Sequence, residues 1–287
     1  MLASRAMSTY AHGSHGPAAL GGGLRRFVEL TLTLARTEFK LRYFGSALGY
    51  LWSLMRPLLF FGVLYFFFTE IVRLGRGIPH YGVYLLTGIV LWSCLAEATG
   101  NAVGCLVARE GLLRKVRFPR MVIPLSVSLT ATFNLGMNFI AVFVFALANG
   151  VHPTFGWLEL IPITVGFVML ATGISMILAP LYVRFRDVQP IWEVALQIWF
   201  YASPIMYAAA SYNLFAGGFE KVAMLNPIAT MLTQMGHAFI DPTALPSAST
   251  AAGGALVPIV AIALIPATFA FGWWFFTREA PRVAENL

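Results

Sequence analysis

The chain has 287 residues, of which 59% are apolar and 11% charged, with a net charge of +7. An ordinary soluble domain is nearer half apolar and a quarter charged, and several uncharged runs here reach the roughly 20 residues that a helix needs to cross about 30 Å of hydrocarbon. Unpaired backbone is too costly in lipid for such runs to be anything but helices, and the ~10-residue alternating segments of a membrane β-barrel are not seen.

In chain order, residues 1–23 are rich in Gly, Ala and Ser, with two His and one Pro. They are expected to form a disordered tail, without the apolar core of a signal peptide. His12 and His15 in that tail are expected to be solvated rather than metal-bound, and no metal site is expected elsewhere. Residues 24–43 set Phe27, Leu30, Leu34 and Leu41 against Arg25, Arg26, Arg36, Lys40 and Arg42 at near-helical spacing. That is the pattern of an amphipathic helix lying in the membrane interface.

The transmembrane domain is expected over 44–277, with spans at about 46–71, 81–106, 121–148, 158–182, 190–209 and 255–277. Between the last two lies the apolar stretch 222–240, broken by Asn226-Pro227 and short for a crossing. A re-entrant helical hairpin is expected there, since irregular backbone at membrane depth is tolerated where protein buries it. Residues 278–287 form a short tail. The predicted class is therefore an all-α integral membrane protein with about six spans.

Charge gives the orientation. With both termini cytoplasmic, the cytoplasmic segments hold fourteen basic residues, from Arg25 to Arg282, and the opposite side three: Arg73, Arg76 and Lys221. The basic residues lie between apolar runs, which points to topology and anionic lipid rather than nucleic acid. Cys94 and Cys105 are eleven residues apart in one apolar run. That is about 16 Å of helix rise, so free thiols are expected rather than a disulfide.

For chemistry, a nucleotide-binding P-loop needs a Lys after Gly. None of the three lysines, Lys40, Lys115 and Lys221, follows a glycine. If ATP drives the chain, a separate subunit binds it. Glu97 inside the second span is costly in lipid and should point inward, either to a pore or to a structural partner; both readings stay open. Arg56 precedes Pro57 in the first span, where it either snorkels to headgroups or meets an anionic substrate group. The connection Arg109–Arg120 interleaves Arg109, Glu110, Arg114, Lys115 and Arg117 with Leu112 and Leu113. This suits an amphipathic element that docks into a partner's groove, although a solvated basic loop has the same composition. The aromatic residues near span ends suit interfacial belts, with a minority available to stack on sugar rings in a pore.

The runs LVAREGLLRKVRFPRMVIPL at 106–125, LGYLWSLMRPLLFFGVLYFFFTEI at 48–71, YVRFRDVQPIWEVALQIWFYASPIMY at 182–207 and LNPIATMLTQ at 225–234 together resemble the permeases of type-2 ABC exporters. The resemblance is strongest to those exporting O-antigen, teichoic acid and capsular polysaccharide. It implies a coupling element within Arg109–Arg120 and an Arg-Asp loop at Arg184, Arg186 and Asp187 near the ATPase. It also implies a homodimer in a bacterial plasma membrane, with two copies of a separate ATPase carrying ATP and Mg²⁺. The chain itself would hold no cofactor and no catalytic residue. The expected substrate is a lipid-linked glycan moving outward, its carrier drawn to Arg25, Arg26, Arg36, Lys40 and Arg42, with Arg56 and Glu97 as further candidates. A drug or small-lipid exporter is the alternative. A membrane-embedded transferase would need converging Asp, Glu or His residues, and a secondary transporter an acidic relay or repeats.

Overall fold

The computed structural model describes residues 23–43, 49, 51–73, 78–115, 118–208 and 219–286. The tail 1–22 and Arg117 lie outside the described residues, as do the side chains of Arg114 and Lys115. All regular structure among the described residues is helical. In order it comprises α1 (Leu24–Tyr43), α2 (Leu51–Ile71), α3 (Tyr81–Val103), α4 (Cys105–Ala108) and α5 (Glu110–Lys115). Then follow α6 (Val122–Ala148), α7 (Leu160–Arg184), α8 (Val188–Ala202), α9 (Phe219–Ala223), α10 (Pro227–Met235), α11 (Ala248–Ala251) and α12 (Leu256–Asn286).

Five helical segments among the described residues are long and apolar enough to cross a bilayer: α2, α3, α6, α7 with the turn before it, and α12 over Leu256–Ala280. The remaining apolar run, 190–209, carries only the 15 residues of α8. That is about 22 Å of rise, short of the hydrocarbon thickness. Pro204 explains the stop, because a residue before proline is driven out of the helical region, and Ser203 is extended at φ −102°, ψ 146°. The carbonyls freed by unwinding find partners on α3. Tyr81 Oη donates to Met206 O at 2.8 Å, and Tyr84 Oη donates to Pro204 O. Irregular backbone is thus sheltered by protein rather than left in lipid. Residues 222–240 form the end of α9, a turn, and one helix that runs through α10 into a wide π turn at Gly236–Ile240.

Helix α3 is the axis of the bundle. It is apolar around most of its circumference, Glu97 apart, and mostly buried, as expected of a helix surrounded by others. It packs on α6, α7, α2 and α8. Helices α7 and α12 meet backbone to backbone. A Cβ on Gly173 would lie 2.8 Å from the Cα of Phe269, and small residues allow this approach in membranes. Gly150, at φ +80°, ends α6 in a left-handed turn in which its N–H donates to Leu147 O and that of Val151 to Ala146 O. In contrast α2 buries little beyond Pro57 and Phe61 and leaves an apolar face outward. Cys94 and Cys105 are buried free thiols.

One end of the bundle gathers the connection after α3, the start of α6 and the ends of α7 and α12. Cys105, Leu106, Met121, Ile123, Met176, Ala179 and Phe276 share a core there, with Phe27 of α1, Leu113 of α5 and Val183 packed against it. Arg120 donates to the carbonyl of Ala280, closing that end.

Candidate functional site

Four charged residues, Glu38, Arg42, Glu97 and Arg109, converge where α1 meets the bundle. Along α1 the positions 27, 31, 35, 38 and 42 recur every three or four residues and so form one stripe. Thr31 and Ala35 on it are buried and Phe27 is half-buried, while Arg25, Arg26, Arg36 and Lys40 are exposed on other sides. The packing stripe therefore carries Glu38 and Arg42, one turn apart.

Each makes an ion pair with the bundle. Glu38 accepts from Arg109, at the break between α4 and α5. Arg42 donates to Glu97 in the last third of α3. Both pairs are half-sheltered, with side-chain exposures of 22%/22% for Arg109–Glu38 and 36%/26% for Arg42–Glu97. Attraction between charges in such places is stronger than at an open surface, and less desolvation opposes it than in a dry interior. Burial pushes the Glu38 carboxyl above its usual range, outweighing Arg109, Ser126 and Arg42, which act the other way.

Helix α6 completes the site with a buried polar row, Ser126, Thr130, Asn134 and Asn138, spaced four apart on one face. Ser126 Oγ lies 3.4 Å from Glu38 Oε1, Thr130 Oγ1 donates to Ala35 O at 3.3 Å, and Asn134 Nδ2 donates to Glu97 Oε1 at 2.6 Å. Thr130 and Asn138 also bond back to carbonyls one turn earlier, so these polar atoms are satisfied within the membrane. Phe39 meets Phe133 edge to face at 5.8 Å beside this row.

Among the residues singled out from sequence, Glu97 and Arg42 are thus brought to each other, and Arg109 is joined to α1. The structure leaves Arg25, Arg26, Arg36, Lys40 and Arg56 apart from this cluster on exposed positions, Arg25 pairing with Glu29 along α1. Leu112 is exposed on α5, whereas Leu113 packs into the end core. Glu110 is half-buried on the same helix. Arg184, Arg186 and Asp187 are exposed in the α7–α8 turn, with Arg184 over the ring of Phe185 and Arg186 over that of Tyr182. Glu38 and the α6 row were not singled out from sequence. Their signal was present as polar residues at every fourth position of an apolar run, and as charges on the buried stripe of α1.

A second polar junction sits at Asn226. Its Oδ1 caps α10 by accepting from Ile228 N at 3.1 Å and also accepts from Trp199 Nε1 at 3.0 Å, while its Nδ2 donates to Ser203 Oγ at 3.0 Å. Of the aromatic residues, Trp92, Trp199 and Phe200 pack together within the bundle, and Trp157 packs on Phe143 and Phe239. Trp52, Tyr65, Tyr201, Trp273 and Trp274 are exposed. No group of three or more His, Cys, Asp or Glu comes together among the described residues.

A bundle in which five helices among the described residues are long and apolar enough to cross a bilayer marks a multi-pass membrane protein. The chain belongs to the ABC-2 type transporter family, whose profile it matches over residues 29–239. It is 32% identical over 216 residues to an O-antigen export system permease protein, RfbA, of Klebsiella pneumoniae, covering 75% of this chain and 82% of that one. To the protein of the same name from Myxococcus xanthus it is 31% identical over 238 residues, covering 83% and 90%. The polysialic acid transport protein KpsM of Escherichia coli is more distant, 22% identical over 175 residues, 59% of this chain and 66% of that one.

Proposed function

We propose that this chain is the permease of an ATP-driven exporter that carries a lipid-linked cell-envelope polysaccharide outward across the bacterial inner membrane. What carries this reading is similarity along most of the chain to permeases named for O-antigen export, supported by the more distant polysialic acid transport protein. No lysine of the sequence follows a glycine, as a P-loop would require. In this reading ATP and Mg²⁺ belong to a separate ATPase, two copies of which serve a homodimer of this chain.

In this account both termini are cytoplasmic, with α1 as the interface helix and residues 44–277 as the membrane domain. Helix α8, with the backbone after it, and the segment 222–240 complete the sixth crossing and the re-entrant element. The end of the bundle that holds α5 and the α7–α8 turn faces the ATPase. Exposed Leu112 docks in the partner's groove, the stretch of chain that holds Arg109, Glu110, Arg114, Lys115 and Arg117 is the coupling segment, and Leu113 ties that motion to the core. Arg184, Arg186 and Asp187 lie beside it. The pyrophosphate of the carrier lipid is drawn to Arg25, Arg26, Arg36 and Lys40, which are exposed along α1. Arg56 adds a charge on the first span.

Charge reversal at Arg114, Lys115 and Arg117 tests the reading in proteoliposomes that hold the permease and its ATPase. Export should fall about tenfold or more while basal ATP hydrolysis persists, the size expected when a few kcal/mol of interface is lost. Unchanged export would refute the coupling assignment.

A further inference from the structure

We infer that α1 is a lever joining the α4–α5 connection to the membrane-embedded part of α3. Its two attachment points are the ion pairs Glu38–Arg109 and Arg42–Glu97. This rests on the reading of the chain as a permease moved by an ATPase.

Arg109 sits where the helical path breaks, at φ −114°, ψ 22°, directly before α5. A displacement of α5 must therefore move Arg109 first. Glu38 holds Arg109 and stands one turn from Arg42 on an unbroken helix, so the two cannot move independently. Arg42 in turn holds Glu97, deep in the sequence of α3. Helix α1 rests on α6 through Ala35, which is fully buried just before the first point, and, between the two points, through the Phe39–Phe133 contact. That contact is the fulcrum.

Glu97 has a second donor, Asn134, which belongs to α6 rather than α1. When α1 tilts, Glu97 can release Arg42 and keep Asn134, so its carboxylate is never left without a partner in the membrane. Partial exposure of both pairs fits this role. A pair in a dry core would not open, and a pair in open water would transmit no force. Glu38, Arg42 and Glu97 are thus positioning residues for transport, acting through Arg109 and α5.

The test uses the full permease–ATPase complex in proteoliposomes, with Glu38→Gln, Glu97→Gln, Arg42→Gln and Arg42→Lys. Transport per ATP hydrolysed should fall about tenfold in the three Gln variants. Hydrolysis itself should stay within about twofold, and Arg42→Lys, which keeps the charge, should recover most of the ratio. If transport and hydrolysis fall in proportion in every variant, including Arg42→Lys, the residues only hold the fold together and the lever is refuted. Unchanged transport per ATP in the Gln variants refutes it too. Amide exchange over residues 36–43 in the permease alone should quicken in Glu97→Gln, and unchanged exchange would overturn the Arg42–Glu97 tie itself. A wild-type complex with no ATP-dependent transport would refute the exporter reading, and the exchange result would still decide whether the tie exists.

Discussion

Glu97 shows how a single costly residue shapes its surroundings. A carboxylate within a span needs compensation, and it has a guanidinium and an amide, from Arg42 and Asn134. Asn134→Ala removes the amide and leaves Glu97 dependent on Arg42. The expected loss is about 1–2 kcal/mol of stability, read as a lower melting temperature in detergent. Glu38 adds a pH signature. Its carboxyl is raised by burial above the ordinary 4.5, so the folded chain binds this proton more tightly than the unfolded chain. The stabilisation is full below 4.5 and is lost as pH rises through the folded value. Melting temperature against pH should therefore fall across that window in the wild type, and Glu38→Gln should flatten the fall. The inward placement of Glu97 was legible from its cost in lipid. Its partner was not, because by charge and spacing Arg42 is one of several basic residues on α1, and only its place on the stripe with buried Thr31 and Ala35 separates it from Arg36 and Lys40.

Among the elements, the long spans were readable because each is a strongly apolar run, with few charges, near the bilayer thickness. The run 190–209 has the same composition, yet its helix stops at Ala202. What composition hides is that Pro204 unwinds the chain and that Tyr81 and Tyr84, more than a hundred residues earlier, supply donors for the freed carbonyls. Asn226 joins that region to α10. Asn226→Ala loses a helix cap and leaves Trp199 and Ser203 without this partner. A loss of about 2 kcal/mol is expected, the upper end of the capping range, with Asn226→Asp retaining the cap and part of the stability. Equilibrium unfolding of the two variants checks this. Gly173→Leu should do more harm, since a Cβ there already meets the backbone of Phe269. Separation of α7 from α12 is expected, seen as loss of folded protein in the membrane fraction.

For the whole molecule, the family and the helical membrane class rest on most of the chain, and the sequence motifs that resemble type-2 ABC permeases lie within the matched residues. The end core around Phe276 packs Leu113 of α5 and Val183, near the end of α7, at one end of the bundle. In the proposed reading that common end is the surface an ATPase engages, and α1 is the route by which its movement passes inward. The glycan's identity and its path lie beyond what these residues encode singly, because sugars are met by aromatic faces and backbone rather than by one signature. The most direct measurement is export of a lipid-linked polysaccharide by this chain reconstituted with its P-loop ATPase. Outward movement should require ATP and both subunits, and fall about tenfold on charge reversal at Arg114, Lys115 and Arg117. Movement that proceeds without ATP or without the ATPase would contradict the account.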